Sequence, residues 1–190
     1  KNQRFYEHKG LYHIFRTRSL LHNILSDTTQ GGSTIEMQIS KNLLTSEDRT
    51  MKRKIKDIYY ATQMDKFMTK DEILCTYLNN VYFGKSAYGV GKASKVYFGK
   101  SEVDLSLSEL AFICSIPNNP TLYDPLNHME NTLKRRDRVL KQIYDQGYID
   151  QSQYQEALNE TITLSPEIKN GTNNYVETFV RYSATIELMT

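Results

Sequence analysis

The stretch Thr69-Lys70-Asp71-Glu72-Ile73-Leu74-Cys75-Thr76-Tyr77-Leu78-Asn79-Asn80 decides the fold class. It opens in the Ser/Thr-x-x-Glu form, in which a hydroxyl and a carboxylate each satisfy an orphan amide at a helix start. Ile73, Leu74, Tyr77 and Leu78 then follow at helical spacing. The same form recurs at Ser106-Leu107-Ser108-Glu109, ahead of Leu110, Ala111 and Ile113. Between Met51 and Phe67, the residues Met51, Ile55, Ile58, Tyr59 and Thr62 recur at helical spacing, with lysines and an arginine filling the other face. That pattern predicts an amphipathic helix with a basic side. Leu133, Leu140, Ile143 and Tyr144 predict another helix, stopped at Gly147, where a left-handed turn is favoured. Ser152-Gln153-Tyr154-Gln155 predicts a short helix beginning near Ser152. Strand signals are scarce, so the expected fold class is all-α.

Two stretches interrupt the helical pattern: Gln30-Gly31-Gly32-Ser33-Thr34 reads as a loop opening a helix, and Pro117-Asn118-Asn119-Pro120 as a rigid turn. After Pro166 the sequence becomes polar, then resumes as a helical-looking tail from Tyr175 to Met189. The expected organisation is one domain over residues 1–165 and a linker with tail over 166–190, leading towards a further domain. The first residues, Lys1-Asn2-Gln3-Arg4-Phe5, contain no initiator methionine, which fits a piece of a longer chain.

With 39% hydrophobic and 24% charged residues, the 190-residue chain has the composition of a folded globular protein, not a disordered one. A net charge of +2 gives no overall attraction to nucleic acid or to a membrane, so an anion site has to come from local clustering. No apolar run is long enough to span a bilayer. Cys75 and Cys114 lie in apolar runs and read as buried free thiols. Neither a zinc-ligand pattern nor a Gly-x-Ser-x-Gly nucleophile elbow occurs, and His8 has no neighbour at metal-ligand spacing.

Three constellations carry candidate chemistry. In Gly31-Gly32-Ser33-Thr34, followed by Gln38 and Lys41 on the face of Thr34, paired glycines permit close backbone approach and helix N-terminal amides favour an anion. The same residues also suit a plain helix cap. In Lys52-Arg53-Lys54-Ile55-Lys56-Asp57, Arg53 and Asp57 are four apart. They suit either a solvated surface pair or a pyrophosphate clamp. In Tyr77-Leu78-Asn79-Asn80-Val81-Tyr82-Phe83-Gly84, tyrosines and amides suit sugar recognition or, equally, the capping of a helix end.

The order and spacing of these stretches resemble the peptidoglycan glycosyltransferases, found as single-domain enzymes and as the first catalytic domain of class A penicillin-binding proteins. Phe5-x-x-His8-x-Gly10 is similar to part of that family's first motif, and Gly31-Gly32-Ser33-Thr34-Ile35-x-x-Gln38-x-x-Lys41-Asn42 to its second. Arg53-Lys54 with Asp57 resembles the third. Glu72-Ile73-Leu74-x-x-Tyr77-Leu78-Asn79-x-x-Tyr82-Phe83-Gly84 resembles the fourth, and Leu107-x-Glu109-x-Ala111 with Pro117-x-x-Pro120 the last.

The resemblance implies a lysozyme-like, all-helical domain at the extracytoplasmic face of a bacterial membrane. Such a domain polymerises lipid II into β-1,4 glycan strands and releases undecaprenyl pyrophosphate. It implies lipid II, the growing glycan, the membrane surface and the inhibitor moenomycin as partners, with no nucleic acid. It implies no required cofactor, though some members use magnesium. Ser33, Thr34, Gln38, Lys41, Arg53, Asn79, Tyr82 and His8 fall at substrate-binding positions, and Asp57 falls at a catalytic glutamate. The linker and tail resemble the segment leading to a transpeptidase domain.

Two positions depart from the family. Counting back from Phe5 places Lys1 at the glutamate read as the general base and Asn2 at the neighbouring aspartate. A lysine is normally protonated near neutral pH and so does not accept the proton. Asp57 keeps the charge of the second glutamate but is one methylene shorter. A catalytically degenerate module that binds lipid II or glycan is therefore the alternative. A lysozyme-like hydrolase would need a convincing pair of flanking carboxylates, which the sequence lacks.

Overall fold

The computed structural model describes residues 33–44 and 51–169. The described residues are helical, with one isolated antiparallel bridge between Tyr82 and Tyr88 and no named strand. The all-α expectation holds. The chain divides into two compact units, Lys1–Val81 and Tyr82–Thr190.

Helix α1 (Ile35–Leu43), α2 (Met51–Phe67) and α3 (Lys70–Asn80) belong to the first unit, where α1 packs on both of the others. Their apolar centre is Ile39 and Ile73, with Ile35, Met64, Met68, Leu74 and Tyr77 packed around them. The predicted capping box starts α3: the Thr69 hydroxyl accepts from the Glu72 amide, and Glu72 accepts from the Thr69 amide at 2.7 Å. Lys70, the first residue of α3, bonds Glu36 Oε1 of α1 at 2.8 Å and Asp65 Oδ1 of α2 at 2.5 Å, tying all three helices together.

The bounds of α2 are those the spacing predicts, but part of its apolar pattern faces solvent. Ile55 and Tyr59, read as core residues, are 65% and 59% exposed, whereas Asp57 is buried beside Ala61. The physical reason lies in its partner: α1 offers α2 a buried hydroxyl at Ser40, which Asp57 accepts and an isoleucine would leave unsatisfied. The expectation of buried thiols is also corrected, since Cys75 and Cys114 are both exposed. Cys114 directly follows buried Ile113 and Cys75 stands two residues past buried Ile73, and helical rotation of about 100° per residue carries each off the packed side.

The second unit contains α4 (Val90–Phe98), α5 (Leu107–Ser115), α6 (Met129–Asp145), α7 (Gln151–Asn159) and the short α8 (Pro166–Lys169). Two 3₁₀ turns flank α5, at Glu102–Asp104 and Ile116–Asn118. The second of these places a turn at the Pro117-Pro120 stretch. Helix α5 starts with the predicted capping box of Ser106 and Glu109, and α6 ends where Gly147 adopts a left-handed φ of +75°. The start of α7 differs from expectation by two residues. Asp150 is the cap, paired with Gln153, because its carboxylate already takes the Gln153 amide at 2.9 Å.

Buried Arg136 of α6 donates to Ser108 Oγ at 3.0 Å and to the carbonyls of Leu158 and Glu160, which joins α5, α6 and the end of α7. The Tyr97 hydroxyl donates to the Phe83 carbonyl at 2.7 Å and fixes the turn that carries Gly84. The Tyr175–Met189 tail lies outside the described residues.

Candidate functional site

Thr34 caps α1 in an extended conformation, and its hydroxyl accepts from the Met37 amide at 3.3 Å. One turn on, the Gln38 side-chain amide donates back to the carbonyls of Ser33 and Thr34, both at 3.3 Å. The Ser33-Thr34 corner is thus held from both sides. Lys54 of α2 completes it by donating to Ser33 Oγ at 3.2 Å.

The charge around this corner is concentrated. Burial pulls the half-buried Lys54 ammonium below the usual lysine range. Asp57 works against the shift, while Arg53 and Lys41 reinforce it. Lys54 stands at the N-terminal end of α1, where helix amides also favour an anion, and shares its field with Arg53 and with Lys41 in the last turn of α1. Asp57, 3% exposed, is the acidic member. Its Oδ2 lies 3.7 Å from Arg53 Nε, and its Oδ1 accepts from Ser40 Oγ at 3.0 Å. The Arg53–Asp57 pair is not a solvated surface pair, since the two side chains are 17% and 5% exposed. The arrangement suits a polyanion such as a pyrophosphate, which guanidinium and ammonium groups bind through charge-assisted hydrogen bonds.

Ser33, Thr34 and Gln38 meet at the start of α1, Arg53 and Asp57 face α1 from α2, and Lys41 lies in the last turn of α1, all in the first unit. Asn79 is at the other end of α3, exposed, with its amide donating to Cys75 Sγ at 3.3 Å. Tyr82 belongs to the second unit, where its ring packs on Tyr88 with centroids 5.0 Å apart. His8, Gly31, Gly32 and Lys1 lie outside the described residues. Among the described residues, no three histidine, cysteine or carboxylate side chains converge as a metal site.

Two members are not among the substrate-binding residues expected from the sequence, Lys54 appearing only within the basic stretch and its motif. Lys54 carries the direct contact to Ser33, and the signal for it was its place three residues before Asp57, on the same helical face. Ser40 is fully buried and bonds the carboxylate, and nothing in its own neighbourhood of sequence marks it.

Residues 1–144 match the family model described as Transglycosylase. Penicillin-binding protein 4 of Bacillus subtilis (strain 168) is 43% identical over 168 residues, covering 88% of this chain and 27% of that protein. Penicillin-binding protein 1A of Escherichia coli (strain K12) is 42% identical over 173 residues, covering 88% of this chain and 20% of that protein. A crystal structure of penicillin-binding protein 1A from Haemophilus influenzae is 42% identical, with a TM-score of 0.49 over 50% of this chain and 14% of that one. The chain thus spans about a quarter of the length of the curated relatives it matches, or less. On the family model and the two curated relatives, the chain belongs to the transglycosylase family found in penicillin-binding proteins.

Proposed function

We propose that the chain is a peptidoglycan glycosyltransferase domain that polymerises lipid II and releases undecaprenyl pyrophosphate, working at the extracytoplasmic face of a bacterial membrane. The observation that carries this reading is Lys54 bonded to Ser33 at the α1 helix start, with Arg53 and Lys41 close enough to act on its charge. A glycosyl transfer of this kind moves a growing chain from its lipid pyrophosphate to the 4-hydroxyl of the acceptor sugar, with inversion. The bond to pyrophosphate breaks as the new glycosidic bond forms, so negative charge builds on the leaving group. Fixed positive charge in a partly desolvated site stabilises that charge. In this reading Ser33, Thr34 and Gln38 shape the corner, Lys41, Arg53 and Lys54 take the pyrophosphate, and Asp57 is the acidic group beside it. Asn79 and Tyr82 are residue types that suit sugar recognition, and they and His8 fall at substrate-binding positions of the family. Among the described residues no three histidine, cysteine or carboxylate side chains converge on a divalent cation, and no step is assigned to magnesium.

A membrane surface fits a second feature of the first unit. Ile55, Tyr59 and Phe67 are exposed on α2, and Lys52, Lys56 and Lys66 are exposed on the same side of the helix. Apolar rings and side chains bordered by lysines suit an anionic lipid interface. No helix among the described residues is long and apolar enough to cross a membrane.

Lys1, at the position where the family keeps its general base, favours a second reading, a module that binds lipid II without polymerising it. Calorimetric titration with lipid II, followed by displacement with moenomycin, tests the binding common to both readings. No binding of either ligand sinks both. Glycan formation by a Lys1→Glu variant, and none by the natural protein, selects the binder.

A further inference from the structure

We propose that Ser40 is a positioning residue: its buried hydroxyl holds the Asp57 carboxylate away from Arg53, and so sets how strongly the site attracts a pyrophosphate. The inference rests on the pyrophosphate-binding reading above and deepens it. Ser40 is fully buried in α1, and its Oγ donates to Asp57 Oδ1 at 3.0 Å. The other oxygen, Oδ2, stands 3.7 Å from Arg53 Nε, beyond a normal hydrogen bond although the two residues are one helical turn apart.

A carboxylate beside a guanidinium ordinarily closes into a tight, often bidentate, pair. Here one of its oxygens is engaged by a neutral donor on another helix. The carboxylate therefore compensates the guanidinium from a distance rather than capping it. Coulombic attraction grows as the separation shortens, and more so in a buried setting than in water. Removing the Ser40 hydroxyl leaves Asp57 Oδ1 without this donor and lets the side chain swing onto Arg53. The approaching pyrophosphate then has to displace that pair. Because Asp57 has a single methylene, it reaches Ser40 only from its place on the α1-facing side of α2, so the two residues act as a matched pair.

The test is a double-mutant cycle on the full chain, with lipid II as the titrant and calorimetric affinity as the readout. Ser40→Ala is expected to weaken binding about tenfold, the scale of one hydrogen bond to a charged group. In an Asp57→Asn background the same change is expected to have no further effect, a non-additivity that loss of packing alone would not produce. Thermal melts of each variant separate affinity from folding. Should Ser40→Ala fail to fold, Ser40→Cys keeps the volume with a weaker donor and carries the same expectation. Equal affinity of Ser40→Ala and the natural protein overturns the inference, as does an equal loss in both backgrounds, and either result leaves the pyrophosphate reading standing. If the natural protein does not bind lipid II, that reading falls and the inference falls with it.

Discussion

Lys54 of α2 reaches across to α1 and donates to Ser33 Oγ at 3.2 Å, and burial holds its ammonium below the usual lysine range. A depressed lysine pKa means that the folded state disfavours the charged form. The charge is therefore a cost to stability at neutral pH, and the cost fades as the pH rises from the lowered value through the unfolded value of 10.5. Lys54→Met is expected to melt at a higher temperature than the natural protein near pH 7, with a margin that shrinks towards pH 10.5. The same variant should bind lipid II at least about tenfold more weakly, on the scale of one charge-assisted hydrogen bond. Parallel melts and titrations at two pH values check both halves.

Lys70 gives the opposite result. Burial alone pulls its ammonium down, but the bonds to Asp65 and Glu36 outweigh it and hold the group above its usual value. Its stabilising contribution is present below 10.5 and is lost only as the pH rises through the still higher folded value. Lys70→Met leaves buried Glu36 and partly buried Asp65 without their cation, which is expected to cost about 3 kcal/mol. Burial already raises the Asp65 carboxyl. Acidification, which neutralises it, should therefore narrow the gap between the variant and the natural protein. Denaturant melts at pH 7 and at successively lower pH measure this.

The turn that follows α3 leaves no room for a side chain at Gly84. Its φ is +84°, and an added Cβ would stand 2.9 Å from the Tyr97 hydroxyl. Gly84→Ala is expected to lose about 2 kcal/mol, from left-handed strain together with the displaced hydroxyl. Tyr97→Phe alone forfeits the bond to the Phe83 carbonyl, about 1 kcal/mol. The double variant should lose less than the sum, because the phenyl ring no longer carries the oxygen that the new methyl meets. Urea melts of the four proteins give the comparison.

Ile55, Tyr59 and Phe67 supply the apolar part of the proposed membrane face. Replacing all three with serine should leave the melting temperature within about 2 °C, since exposed positions carry little folding energy. Co-sedimentation with vesicles containing anionic lipid should fall several-fold. Unchanged sedimentation would remove α2 from the membrane contact.

The helices were legible in the sequence because their starts carry local chemistry. Thr69 with Glu72, and Ser106 with Glu109, announce themselves within four residues, and the structure shows both boxes. The facing of α2 was not legible. A hydrophobic pattern assigns the core side by counting apolar residues, whereas α1 meets α2 through Ser40 and Asp57, a polar contact 17 residues apart in the chain. Part of the proposed anion corner, Ser33, Thr34 and Arg53, could be read from the sequence. Lys54 and Ser40 required the packing of two helices to appear, because their roles exist only across that packing.

The central claim is that this corner serves glycan polymerisation, and gel analysis of labelled lipid II turnover by the natural protein beside Asp57→Asn tests it most directly. The account predicts a ladder of glycan strands from the natural protein and a loss of at least about a hundredfold in rate from Asp57→Asn, on the scale of one misplaced or missing group at a reacting centre. Ladders formed at equal rates by both proteins would contradict it.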